Sequence, residues 1–185
     1  MAKTPSTMLP LGTLAPQFSL LDVVSGNLIS LKNAVGSKAT VIMFICNHCP
    51  YVKHVNAELT KLAKDYMPEG VSFIAINSND VAAYPDDSPE NMKQAAHREG
   101  YPFPYLYDET QEVAKAYQAA CTPDFYIFND RFELVYRGQL DDSRPGSRLE
   151  VTGLSIRNAL DSLLANEPVS PDQKPSLGCN IKWKN

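Results

Sequence analysis

The sequence predicts an α/β fold, and three observations carry that reading. Two continuous apolar runs rich in β-branched residues, "ATVIMFI" (39–45) and "VSFIAIN" (71–77), read as strands buried on both faces. Between them Val52, Val55, Leu59, Leu62, Ala63 and Tyr66 recur at steps of three and four, one apolar stripe of a helix. Near the end, "PDFYIF" and "FELVYRG" flank Asn129-Asp130-Arg131 and read as an antiparallel hairpin. Strands alternating with helices imply a parallel sheet with right-handed crossovers, to which the hairpin adds antiparallel strands.

The remaining elements follow in chain order. "FSLLDVVSGNLISL" (18–31) reads as two short strands around a Ser25-Gly26-Asn27 turn. "SNDVAAYPDD" is a polar loop on the same edge of the sheet as the first helix, with Tyr84 its one large aromatic. Ser88 then caps a helix with Pro89 at its first position and Gly100 past its end. "PYLYD" is a short strand. Asp108 and Gln111 predict a capping box for a helix over 109–119. Thr152 is expected to cap a last helix with the stripe Leu154, Ile156, Leu160, Leu163 and Leu164. From Asn166 the chain is proline-rich and polar and predicts an extended tail.

At 185 residues the chain suits one domain. With 44% hydrophobic and 21% charged residues, it has the composition of a packed globular protein rather than a disordered one. A net charge of −4 argues against nucleic acid as a partner. No run reaches the roughly 18 apolar residues a membrane helix needs, so no membrane partner is expected. The N-terminus lacks an apolar run of signal-peptide length, which predicts a cytoplasmic protein. In that compartment a close cysteine pair is catalytic or metal-binding more often than a structural staple.

Cys46 and Cys49 form such a pair, in "VIMFICNHCPYVKHV" (41–55). They fall where the strand 39–45 gives way to a helix, the edge at which open α/β sheets place their sites. Pro50 is tolerated there because the first helical amides have no intrahelical partner to lose. Those free amides and the positive end of the helix favour thiolate. Lys53 and His54 lie one turn in, and His48, between the cysteines, is read as a spacer that tunes them. Two inert thiols, a metal clip and a redox pair all remain compatible with the spacing. A zinc site wants a second ligand pair, yet Cys121 and Cys179 are isolated and all three histidines fall within the first 97 residues, so no metal is expected. Covalent haem attachment needs CxxCH, and Pro50 stands where that histidine would be.

"LAPQFSLLDVVSGNLISL", "VIMFICNHCPYV", "CTPDFYIFN" and "FELVYRGQLDD" together resemble the thioredoxin-fold superfamily, and within it the redoxin branch that holds the alkyl hydroperoxide reductase/thiol-specific antioxidant group and thioredoxin-like reductases. CNHCPYV with a terminal GCNIKWK is similar to a bacterial subgroup described as thioredoxin-like or peroxiredoxin-like. The resemblance spans about residues 10–165 and implies a thioredoxin-like fold: a central mixed sheet flanked by helices, with an N-terminal β extension inside a domain 1–165 and an extended C-terminal tail, 166–185. It also implies that Thr122-Pro123 is a cis peptide facing the cysteines, where an extended substrate segment docks by strand-like pairing.

Cysteine followed by proline is the peroxiredoxin habit, with Cys49 in the peroxidatic position and Cys46 where a threonine usually stands. Two chemistries follow from the resemblance. In a thiol–disulfide oxidoreductase Cys46 attacks and Cys49 resolves. In a thiol peroxidase Cys49 is oxidised and Cys46 resolves, with Arg137 or Arg144 as candidates to hold the thiolate. A metal-binding thioredoxin-fold protein is the third alternative. No cofactor is expected. The implied partners are protein or small-molecule disulfides or hydroperoxides and a thiol electron donor. Cys121 and Cys179 are secondary redox candidates, each equally readable as packing. Asp141-Asp142 reads as turn chemistry rather than a catalytic carboxylate pair.

Overall fold

The computed structural model describes residues 3–184. In chain order the elements are β1 (Lys3–Pro5), β2 (Ser19–Asp22), β3 (Leu28–Ser30), α1 (Leu31–Ala34), β4 (Ala39–Phe44), α2 (Pro50–Tyr66), β5 (Val71–Asn77), α3 (Pro89–Glu99), β6 (Tyr105–Tyr107), α4 (Glu112–Ala116), β7 (Cys121–Thr122), β8 (Asp124–Asn129), β9 (Leu134–Gly138), α5 (Leu154–Leu164) and β10 (Leu177–Asn180). Seven strands form one sheet in the order β3-β2-β6-β5-β4-β8-β9. The pairs β4–β5 and β5–β6 are parallel and the other pairs antiparallel, so the mixed sheet expected from the alternation of elements is present.

The centre of the sheet is apolar on both faces because helices cover both. Val41, Met43 and Ile45 point to one side and pack with Leu59 of α2, Met92 of α3 and Leu160 of α5. Ile42 and Phe44 point to the other and pack with Leu31 of α1, Ala114 of α4 and the buried Tyr117. The period-2 alternation of a strand thus divides one apolar run between two cores. Every side chain of β4 is buried.

Four local expectations are corrected. The helix placed over 109–119 is α4, Glu112–Ala116. Gln111 is not part of a capping box: its backbone is left-handed (φ 64°) and its side-chain amide donates to the Ser78 and Lys182 carbonyls. The Asp108 carboxylate caps alone, accepting the Val113 and Ala114 amides. The last helix starts from Gly153, at φ 65°, rather than from a Thr152 cap. The Asp141 carboxylate takes up the Thr152 and Gly153 amides at 2.7 and 2.8 Å, which fixes Asp141 as loop chemistry. Leu154, placed in the apolar stripe, is exposed, while Ile156 and Leu160 are buried.

The tail runs without regular structure from Asn166 to Ser176 and then closes as β10. That strand is the centre of a second sheet, β1-β10-β7, antiparallel to both neighbours. Neither β1 nor β10 announces itself in the sequence, because each is only three or four residues long and carries no alternating pattern.

Candidate active site

β4 delivers the chain to the carboxyl edge of the sheet, and α2 leaves from it. Ile45 still pairs with β5 through the Ile76 carbonyl. Cys46, Asn47 and His48 form the loop, and Cys49 is the N-cap of α2, with Pro50 first in the helix. The Thr122–Pro123 peptide between β7 and β8 is cis. Thr122 touches both sulfurs: its Oγ1 lies 3.2 Å from Cys46 Sγ, and its carbonyl oxygen 3.2 Å from Cys49 Sγ. The four residues singled out in the sequence therefore meet, with 76 positions between Cys46 and Thr122.

Cys179 joins them. Its Sγ lies 2.8 Å from Cys49 Sγ, across 130 positions of sequence. Cys121 does not join. Its thiol is directed at the Pro123 carbonyl at 3.7 Å, and burial pushes its pKa far up, so it stays protonated. All four cysteines are buried and unbonded.

The sulfurs are electrostatically unequal. As a thiol Cys49 donates to the Thr122 carbonyl. As a thiolate it is favoured by the Cys46 thiol, against the cost of burial, and further by the Cys179 thiol; its pKa is lowered to about 5. The Cys46 pKa moves the other way, held up by its hydrogen bond to Cys49, by burial and by the nearby Asp87 charge. Burial and the Cys49 contact push Cys179 up to about 12. One negative charge on three sulfurs settles on the middle one, at the amino end of α2.

Asp87 was missed at the sequence level, where it read only as the residue before the Ser88 cap. It is fully buried. Its carboxylate accepts the Asn47 amide at 2.7 Å, the His48 ring nitrogen Nδ1 at 2.6 Å and the Asn79 side-chain amide at 2.7 Å. Burial works to raise its pKa, but the hydrogen bonds from His48 and Asn79 outweigh it and hold the carboxyl below its ordinary range. The same hydrogen bond, against burial, raises His48. Tyr84 stacks on the His48 ring, 5.3 Å between centroids. The polar loop expected merely to border the site in fact fixes the segment between the cysteines. Asn79 extends the network to the tail, accepting the Lys182 amide at 2.8 Å.

Two other expectations concern the arginines and the cation donors. Arg137 donates to the Leu9 carbonyl and Gln173, and Arg144 to the Asp141 and Ser143 carbonyls and Gln139, so both guanidinium groups are engaged with groups other than Cys49. The shortage of cation donors argued from spacing overlooked Asp87: donor atoms of Cys46, His48 and Asp87 lie within 4.8 Å of one another. His48 Nδ1 and Asp87 are already bonded to each other, and His48 Nε2 is enclosed without a partner.

A mixed sheet flanked by helices, with a cysteine pair at a strand-to-helix junction facing a cis-proline, defines a thioredoxin-like α/β protein. The chain belongs to the AhpC/TSA family, whose description matches residues 11–137. It is 29% identical over 117 residues to thiol-disulfide oxidoreductase ResA of Halalkalibacterium halodurans, an alignment covering 63% of this chain and 61% of that protein. The chain thus spans under two thirds of that relative's length. Among solved structures it superposes on an uncharacterised conserved protein from Geobacillus kaustophilus (65% identity, TM-score 0.98, 100% of this chain and 97% of that one). It also superposes on a hypothetical protein from Sinorhizobium meliloti (46% identity, TM-score 0.95, 98% of each chain). The thioredoxin domain of a thiol-disulfide oxidoreductase from Bacteroides vulgatus shares the fold at 17% identity, with a TM-score of 0.60 over 74% of this chain and 90% of that one. No helix among the described residues is long and apolar enough to cross a membrane.

Proposed function

We propose that this protein is a thiol–disulfide oxidoreductase that cycles Cys46 and Cys49 between dithiol and disulfide. The observation that carries the reading is the acidified sulfur of Cys49, set at the head of α2 beside the Cys46 thiol and against Thr122. A thiolate attacks a disulfide sulfur, so attack falls to Cys49 and resolution to Cys46, the reverse of the order implied by the resemblance. The Cys49 thiolate breaks the substrate S–S bond and expels one thiolate. Cys46 then attacks Cys49 of the mixed disulfide, expels the second thiol and leaves Cys46–Cys49 oxidised. A thiol donor restores the dithiol by the same exchange in reverse. Substrates are protein or small-molecule disulfides, in a reducing, cytoplasmic setting.

The low pKa of Cys49, followed by Pro50, also supports a second reading as a thiol peroxidase in which a hydroperoxide oxidises Cys49 to sulfenic acid and Cys46 resolves it. Arg137 and Arg144, the candidates to hold the thiolate, bond to other groups, which counts against it.

One experiment separates the two. Fully reduced, metal-free protein is mixed with a small disulfide or with hydrogen peroxide, quenched over time with an alkylating agent and mapped by mass spectrometry. The oxidoreductase reading expects rapid disulfide-driven oxidation and peroxide oxidation no faster than for a free thiol. Fast peroxide oxidation of Cys49 would replace it with the peroxidase reading. Full turnover in both Cys46→Ser and Cys49→Ser would overturn both.

A further inference from the structure

Three sulfurs meet at the head of α2, and the third arrives on the tail. The 2.8 Å between Cys49 Sγ and Cys179 Sγ exceeds a covalent S–S bond, about 2.05 Å, yet asks only a small approach of two side chains. β10 runs antiparallel to β7, with Cys179 opposite Thr122 and Asn180 opposite Cys121. It therefore occupies the backbone edge beside the cis-proline, where an extended disulfide-bearing segment was expected to dock.

The seating is built in detail. The Ser176 hydroxyl donates to the Pro123 carbonyl at 2.6 Å, and the Ser176 amide to the Ser6 hydroxyl at 2.7 Å. Beyond the cysteine, Ile181 donates to the Ala120 carbonyl and Lys182 to Asn79, the residue that also holds Asp87. Gly178 presses directly on the Thr122 carbonyl, and a Cβ there would collide with it. A side chain before Cys179 would lift the strand off Thr122, so the absence of one is what brings the third sulfur to Cys49. A thiol that only filled space would need neither the glycine nor a place on the acidified sulfur.

We propose that Cys179 is a third redox sulfur, presented to Cys49 within the same chain by β10 in the position of an extended disulfide substrate. The inference rests on the reading of Cys46 and Cys49 as a redox pair. Once a substrate disulfide has oxidised that pair, Cys179 loses its proton and its thiolate attacks Cys49. The Cys46–Cys49 bond breaks, the Cys49–Cys179 bond forms, and Cys46 leaves as a thiolate that takes up the proton. No further oxidant is consumed; the two-electron oxidation moves from one sulfur pair to the other. Cys49 is the central sulfur and has two resolving neighbours.

The test uses the full chain in a Cys121→Ser background with 2,2′-dithiodipyridine, which releases one coloured thione at each exchange. With Cys46→Ser added, Cys49 attacks the reagent and releases the first thione, and Cys179 then attacks Cys49 of the mixed disulfide and releases the second. Two thiones per chain and a mapped Cys49–Cys179 bond are expected. With Cys179→Ser added as well, one thione and a lasting Cys49 adduct are expected. Gly178→Val in the Cys46→Ser chain should slow the second release at least about tenfold, because the sulfurs lose their shared placement. A Cys46→Ser chain that keeps its adduct with Cys179 free overturns the proposal, as does an unchanged second release in Gly178→Val. The underlying pair is judged separately: Cys179→Ser alone must still form Cys46–Cys49, and its failure to do so sinks the dithiol reading rather than this one.

Discussion

Asp87 holds His48 Nδ1 at 2.6 Å from a loop that begins some thirty residues after the cysteine pair, and it holds the Asn47 amide at 2.7 Å. The two residues between the cysteines are thus fixed by one buried carboxylate. Asp87→Asn keeps one acceptor oxygen but replaces the other, which takes the His48 ring and the Asn79 amide, and a buried donor left unpaired costs about 1–3 kcal/mol. Chemical denaturation at neutral pH should show that loss. The same variant removes a charge that holds the Cys46 pKa up, so that pKa should fall. The parent's contribution from Asp87, whose folded pKa is lowered, is present above the ordinary carboxylate range and lost as pH drops through the folded value. The His48 contribution, with its folded pKa raised, is lost as pH rises through that value. A variant as stable as the parent would remove Asp87 from this role.

Cys49 should titrate at about 5, followed by the ultraviolet absorbance of the thiolate in a Cys121→Ser chain. Its largest cause is the Cys46 thiol. Cys46→Ala should therefore raise the Cys49 pKa, while Cys46→Ser, which keeps a hydroxyl donor, should raise it less. Because the folded pKa is depressed, the thiolate stabilises the fold above the ordinary thiol pKa, and that contribution disappears as pH falls through about 5. Equal titration in the parent and Cys46→Ala would refute the shared-proton account.

Asp124 follows the cis-proline, wholly buried, and burial raises its pKa to about 7 against the hydrogen bonds from Ser6 and Tyr126. The protonated form is the one the fold prefers. Stability from this residue is full below the ordinary carboxylate pKa and is lost as pH rises through about 7. Asp124→Asn keeps an oxygen to accept from one hydroxyl and sets its amide NH2 as donor against the other, and it has no charge to bury. Its Tm should exceed the parent's above neutrality and converge with it in acid. Parallel Tm curves across that range would show that Asp124 does not titrate there.

Cys46, His48 and Asp87 cluster closely, but His48 Nδ1 and Asp87 already satisfy each other. Protein purified under reducing conditions should carry zinc and copper well below one equivalent, with no change in Cys46→Ser. A stoichiometric metal lost in that variant would establish the metal-binding alternative.

The local parts of this protein are written in its local sequence. The buried run of β4, the stripe of α2, the Ser88–Pro89 start and Gly100 end of α3, and the β8–β9 hairpin each follow from periodicity or turn chemistry acting within a few residues. The position of Cys46 and Cys49 at a helix start was legible for the same reason, and Thr122-Pro123 through its resemblance to a known family. Asp108 with Gln111 misled because the capping-box spacing is satisfied on paper, while a buried demand elsewhere, the Ser78 and Lys182 carbonyls, claimed the glutamine.

Spacing along one stretch of chain was enough for the class of fold and for the placement of Cys46 and Cys49 where β4 gives way to α2. Tertiary structure decided which sulfur carries the charge, since Cys49 is set apart from Cys46 by the groups folded around each. It also decided that Asp87 governs the loop and that Cys179 stands on Cys49. Those contacts join residues up to 130 positions apart through a strand too short to have a pattern, and electrostatic and steric forces act on distance in space, which spacing in sequence does not encode.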